Sequence, residues 1–117
     1  MADVGKLIDD FSTGLQKVSK RMPEFTQTFM GFVGAANEDS ALSVKDKELV
    51  AVGISVHSRC DYCIAHHVHK AFEVGATSEE ILDAAKVAIG MGGGPAMAYT
   101  ATLVINAIEE FEGDFER

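Results

Sequence analysis

Residues 59–70 read RCDYCIAHHVHK, and in twelve positions hold both cysteines of the chain and three of its four histidines. The stretch reads as a helix that starts near Cys60 and ends at Val74–Ala76, where Gly75 suits the residue just past a helix end. At about 100° per residue, Cys60, Cys63 and His67 fall within about 60° of one another on that helix. Cys63 and His67 are an i, i+4 pair whose side chains can meet. Cys60 and Cys63 are an i, i+3 pair, about 5–6 Å apart between Cβ atoms on a regular helix. That is slightly long for a relaxed disulfide, and a small adjustment of the first turn closes it.

Working outward, the neighbours are also helices, with no convincing strand. Upstream, Ser43 reads as the N-cap of a helix over 44–58, with Asp46 and Glu48 in its first turns. Leu49, Val50, Val52, Ile54 and Val56 point to more than one side of it, the pattern of a buried helix. Downstream, TSEE (77–80) is a capping box, Thr77 with Glu80, opening a helix to about Gly90. GGGP (92–95) breaks the chain, and Pro95 suits the first turn of a last helix over 95–111. Its inner face is expected to include Ala98, Ala101, Leu103, Val104, Ile105 and Ile108, with small residues such as Ala96 and Ala107 allowing close approach.

At the N-terminal side, Val4, Leu7, Ile8, Phe11, Leu15 and Val18 give residues 3–21 one apolar face. Pro23 starts a second helix, with Phe25, Phe29, Phe32 and Val33 as its buried face, in the core or at a subunit interface. A polar break covers 37–43. There is no repeat and no linker. The expectation is a single all-α domain over 1–117, a bundle of about six helices. Some apolar faces exceed what so small a chain covers alone, a hint of a homo-oligomer.

Composition narrows the function. The chain has 117 residues, 47% of them hydrophobic, enough for one folded domain. A formal net charge of -8 argues against nucleic acid and against anionic membrane surfaces, both of which need a positive footprint. No apolar run approaches the roughly 18 residues of a membrane span. The opening MADVGKLIDDF has no apolar h-region, so the expected compartment is the cytoplasm. Structural disulfides are rare there, which makes a closely spaced cysteine pair redox-active or metal-binding.

Cys60 lies at a helix start, where free N–H groups and the dipole favour a thiolate. His67 can serve as base or proton shuttle near neutral pH. Glu48, twelve residues before Cys60 on the preceding helix, comes opposite the pair if the two helices run antiparallel through a short turn. Three other readings stand beside this one. The cysteines can be a buried structural pair. Cys60, Cys63, His67 and Glu48 also offer sulfur, nitrogen and oxygen ligands for zinc, although no second cysteine pair exists. A redox-sensing subunit acting through a partner protein is the third. Tyr62 either gates the cysteines or packs. His66, about 100° from His67, and His69, further round, read as surface or interface residues. His57 closes a helix and faces its negative end. Glu79/Glu80 and Glu109/Glu110 read as solvated helix ends. GGGP lacks the following Lys-Ser/Thr of a phosphate loop.

The spacing E-x11-C-x-x-C-x-x-x-H, here Glu48, Cys60, Cys63 and His67, resembles the motif of the alkyl hydroperoxidase D-like proteins, a branch of the carboxymuconolactone decarboxylase superfamily. LSVKDKELVAVGISV (42–56) and GGGPAMAY (92–99) are similar to segments of that superfamily, so the resemblance covers roughly residues 40–110. It implies an all-helical fold assembled as a trimer or hexamer. It implies that Cys60 and Cys63 cycle between dithiol and disulfide, and that Glu48 and His67 relay protons to them. The expected substrates are hydroperoxides or disulfides, with a protein or small-molecule thiol as reductant and no cofactor. Members with hydroperoxidase activity can have a histidine between the cysteines, where this chain has Tyr62. The decarboxylases of the superfamily lack the cysteine pair; a lactone-acid decarboxylase is the alternative within the same fold.

Overall fold

The computed structural model describes residues 3–116. Helices account for nearly all of them: α1 Val4–Arg21, α2 Pro23–Asn37, α3 Val44–His57, α4 Asp61–Glu73, α5 Ser78–Gly92, α6 Gly94–Tyr99 and α7 Ile105–Phe111. A π-helical segment, Thr100–Val104, joins α6 to α7, and a 3-10 turn, Glu112–Phe115, follows α7. Since α6, the π segment and α7 form one continuous rod, the described residues fold into six helical rods, with no strand among them. None of these helices is long and apolar enough to cross a membrane.

Local chemistry sets most of the boundaries. Asp3 caps α1 through the Lys6 N–H, and Ser43 caps α3 through the Asp46 N–H. At α5 both halves of the capping box form: the Thr77 hydroxyl accepts from the Glu80 N–H, and the Glu80 carboxylate accepts from the Thr77 N–H. Gly93, the only residue outside a helix between α5 and α6, has φ +68° and ψ -140°, backbone space that suits glycine.

The core is centred on α3, which packs against both α4 and α5. Val52, Val56, Ile64, Val68, Ile81 and Val104 are fully enclosed. Each contributes about 1.5–3 kcal/mol relative to an exposed position. Turn geometry holds α3 and α4 antiparallel. The Arg59 N–H bonds the Val56 carbonyl, and the Cys60 N–H bonds the Ser55 carbonyl. With Arg59 at φ +56°, this is a Schellman ending built on a non-glycine residue. The end of α4 repeats it with the expected glycine: Gly75 N–H to Phe72, Ala76 N–H to Ala71, Gly75 at φ +98°.

Three expectations about burial need correction. Phe25, Phe29 and Phe32 do not enter the core of the chain; Phe25 and Phe32 are 70% and 71% exposed, and α2 buries only Thr26. Among the described residues α2 packs mainly on α1, which leaves most of its aromatic face open. Second, α3 is not enclosed all round: Val50 and Ile54 are open, on the side away from the buried Val52 and Val56. Third, the last rod is not a regular helix over 95–111. The Ile105 N–H reaches back five residues to the Thr100 carbonyl, which inserts an extra residue into the turn. The inner face therefore changes: Ala98 and Ala101 lie outside, Ile105 is half-buried, and Ala96, Leu103, Val104, Ala107, Ile108 and Phe111 are inside.

Candidate functional site

The two sulfurs come together at the start of α4. Cys60 is the N-cap, with extended φ and ψ, and its Sγ accepts the Cys63 N–H at 3.2 Å. Leaving the helix at Cys60 is the adjustment that a regular i, i+3 pair needed. Cys60 and Cys63 are disulfide-bonded, with Cα atoms 5.2 Å apart, and both are partly exposed. The site thus pairs two sulfurs with free backbone donors and the positive end of a helix, the surroundings in which sulfur carries negative charge most easily.

One turn along α4 from Cys63 stands His67. Its Nδ1 lies 2.8 Å from Oε2 of Glu48. A carboxylate accepts, so Nδ1 carries the hydrogen and Nε2 of the neutral ring is left as the acceptor. Glu48 comes from α3, and its side chain is only 5% exposed, against 23% for His67. A carboxylate so enclosed needs a hydrogen-bonded partner to remain charged. The antiparallel α3–α4 turn is what carries Glu48 to that partner across nineteen positions of sequence. Glu48 on α3 and Cys63 and His67 on α4 thus lie on two packed helices, with Cys60 at the N-cap of the second, Glu48 bonded to the His67 ring, and His67 one helical turn beyond Cys63.

Other residues fall differently. Tyr62 is half exposed and leans toward α1, its ring 6.4 Å from that of Phe11. His69 is not a surface residue: it is partly buried, edge-on to Phe111 and Phe115 at 4.9 and 5.1 Å, so it anchors the C-terminal turn. His57 is exposed at the end of α3. His66 does not point away from the site. Its ring meets that of His67 edge-to-face, 4.8 Å between centroids. Helical angles alone missed this, because long side chains swing across the arc between adjacent positions. Although much of its surface is open, crowding around the His66 ring, then the neighbouring His67, pushes its pKa below the ordinary 6.5.

Among the described residues, no three or more His, Cys, Asp or Glu side chains are grouped as a metal site. An apolar hollow of about 500 Å³ lies elsewhere, between α3 and α5. Leu49, Val50, Ile54, Val87 and Met91 line it, with His57 and Ser58 at one end. Neither cysteine, nor Glu48, nor His67 belongs to it.

Comparison with known proteins bears on the family and the fold. Residues 23–106 match the model of the carboxymuconolactone decarboxylase family. An uncharacterized protein of Cupriavidus necator is 31% identical over 99 residues, covering 79% of this chain and 88% of its own. An uncharacterized protein from the cox locus of Paracoccus denitrificans is 31% identical over 113 residues, covering 97% and 99%. Among solved structures, an apo family protein from Legionella pneumophila superposes with a TM-score of 0.86 at 36% identity, over 97% of both chains. A family protein from Thermotoga maritima, for which a part in the antioxidative response has been suggested, superposes with a TM-score of 0.81 at 30% identity, over 93% of this chain and 92% of that one.

Proposed function

The chain belongs to the carboxymuconolactone decarboxylase family, and from that premise we propose that it is a thiol-dependent oxidoreductase of the alkyl hydroperoxidase D-like branch, reducing hydroperoxides or disulfides. The observation that carries this reading is the Cys60–Cys63 pair at the α4 N-terminus with a Glu48-oriented histidine one turn above it. The antioxidative role suggested for the Thermotoga maritima relative supports it.

In the dithiol form, Nε2 of His67 takes the proton of Cys63, with Glu48 stabilising the imidazolium. The Cys63 thiolate attacks the terminal oxygen of a hydroperoxide and the O–O bond breaks. The alkoxide leaves, recovers a proton and departs as an alcohol, while Cys63 becomes a sulfenic acid. Cys60, held at the N-cap where a thiolate is favoured, attacks that sulfur. The S–S bond forms and water leaves. Two electrons have passed from two thiols to one peroxide bond. A disulfide substrate follows the same path, its leaving group being a thiol. Two equivalents of a thiol reductant then restore the dithiol and become a disulfide themselves. The uncovered apolar faces of α2, α3 and α5 support assembly into a homo-oligomer.

The test is a single-turnover thiol count on reduced, desalted protein mixed with one equivalent of cumene hydroperoxide. Both thiols should disappear and return with dithiothreitol, and Cys60→Ser or Cys63→Ser should abolish turnover. With Cys60→Ser the attacking Cys63 should still form a mixed disulfide with a small disulfide probe. A Cys60→Ser/Cys63→Ser chain that kept full activity on a lactone acid would replace this reading by decarboxylation.

A further inference from the structure

We propose that His66 is the outer proton carrier of this site, passing protons between His67 and solvent. The inference rests on the redox reading above and adds a residue that reading does not use. His67 has one ring nitrogen committed to Glu48, which leaves Nε2 as the single outlet toward both the thiols and the surroundings. Its side chain is 23% exposed, and the carboxylate behind it is closed to water. A proton that leaves the thiols before substrate arrives therefore needs a further acceptor at the mouth of the site.

His66 stands in that place. Its ring meets the His67 ring edge-to-face at 4.8 Å, and it is itself open to solvent. On α4 it is three residues after Cys63 and four after Tyr62, so it occupies the helical strip bordering the sulfurs. A neutral imidazole offers one accepting and one donating nitrogen, so it takes a proton at one edge and releases another at the opposite edge. Desolvation and the neighbouring His67 keep His66 below the ordinary histidine value, hence neutral and able to accept at pH 7. The charged and titratable groups acting on it are Glu48 from α3 and His67, His69 and Lys70 from α4 itself. From α1, the Lys6–Asp10 pair comes near Tyr62, one turn earlier on α4.

The transfer balances without electrons. A thiol proton moves to Nε2 of His67, then through a bridging water, since the edge-to-face rings do not set nitrogen against nitrogen, to the free nitrogen of His66, and His66 gives its other N–H proton to bulk water. When alkoxide or hydroxide leaves the sulfur, the reverse transfer returns it. Since His66 acts through His67 and touches neither sulfur in this account, its loss should slow proton exchange without preventing formation of the disulfide.

The experiment follows oxidation of reduced full-length protein by stopped flow, with cumene hydroperoxide and with dithiodipyridine, for the unaltered chain, His66→Ala and His66→Phe. His66→Ala is expected to react about 10-fold more slowly, below the range of about 10²–10⁴ for a lost acid–base group because His67 still takes the thiol proton. It should show a larger solvent deuterium isotope effect, and free imidazole should restore its rate. His66→Phe keeps an aromatic ring against His67 without nitrogens, and should remain slow. Should His66→Ala match the unaltered rate, or His66→Phe restore it, the relay is wrong and the ring merely packs. Should the unaltered protein leave both reagents unreduced, the redox reading itself falls, and this inference with it.

Discussion

Replacing Glu48 by Gln tests whether the buried carboxylate serves chemistry or only packing. The amide has the same shape and still accepts from the Nδ1–H of His67, so the contact at 2.8 Å can persist. What disappears is the negative charge. A unit charge pair about 4 Å apart is worth about 4 kcal/mol at an effective dielectric constant near 20. The partial exposure of His67, 23%, weakens this, and about 2 kcal/mol is a fair value for a charge-assisted bond here. Lost from the state in which His67 holds the thiol proton, that is roughly a 30-fold slower attack. Folding should change little, because the amide leaves no buried charge unpaired. The converse replacement, His67→Ala, strands the carboxylate and should cost about 3–5 kcal/mol of stability. The assay pairs a stopped-flow measurement of thiol loss with cumene hydroperoxide against urea unfolding of the same samples. A Glu48→Gln protein oxidised as fast as the unaltered chain, with both cysteines still required, would refute the argument that the Glu48 charge activates His67.

Other expectations follow from geometry. Arg59→Gly should stabilise the chain by about 0.5–1 kcal/mol, the left-handed strain relieved less the entropy gained by the unfolded chain; Gly75→Ala should destabilise by a similar amount, both read from urea midpoints. Glu80 is held below the ordinary carboxyl value of 4.5, first by the Thr77 backbone N–H and then by Lys45. Its share of stability is therefore complete above that value and lost as pH falls through the lower folded one. The melting temperatures of the unaltered chain and Glu80→Gln should differ at pH 6 and converge in acid, once the pH has fallen through the lowered Glu80 value. Finally, light scattering at micromolar concentration should report an oligomer, and Phe32→Asp or Ile54→Asp, each placing a charge on an open apolar face, should reduce its mass without unfolding the helices.

Much of this protein was legible along the chain because its signals act over three or four residues. Ser43 and the Thr77/Glu80 box announce helix starts because their side chains bond N–H groups within one turn. Gly75 announces an end because of its backbone conformation. The spacing from Cys60 through Cys63 to His67 names one side of one helix. These are local energies, and tertiary packing left them in place. Where the sequence misled, the deciding interaction was remote. Phe25 and Phe32 carry the periodicity of a buried face, yet burial in the core depends on another element of the chain arriving to cover it, and none among the described residues does, which leaves the subunit interface as the place for that face. Val50 and Ile54 are as apolar as Val52 and Val56; only the positions of α4 and α5 separate the covered from the open. The π turn at Thr100–Val104 resets the inner face of the last rod, although its residues would equally suit a regular helix. The left-handed Arg59 hides a Schellman turn because no glycine marks it. That turn sets α3 against α4, and with it Glu48 against His67. The candidate residues of the site could thus be named from the sequence. Their pairing, the enclosure of the carboxylate, and the approach of His66 to His67 came from packing, because only the folded chain decides which side chains share a space.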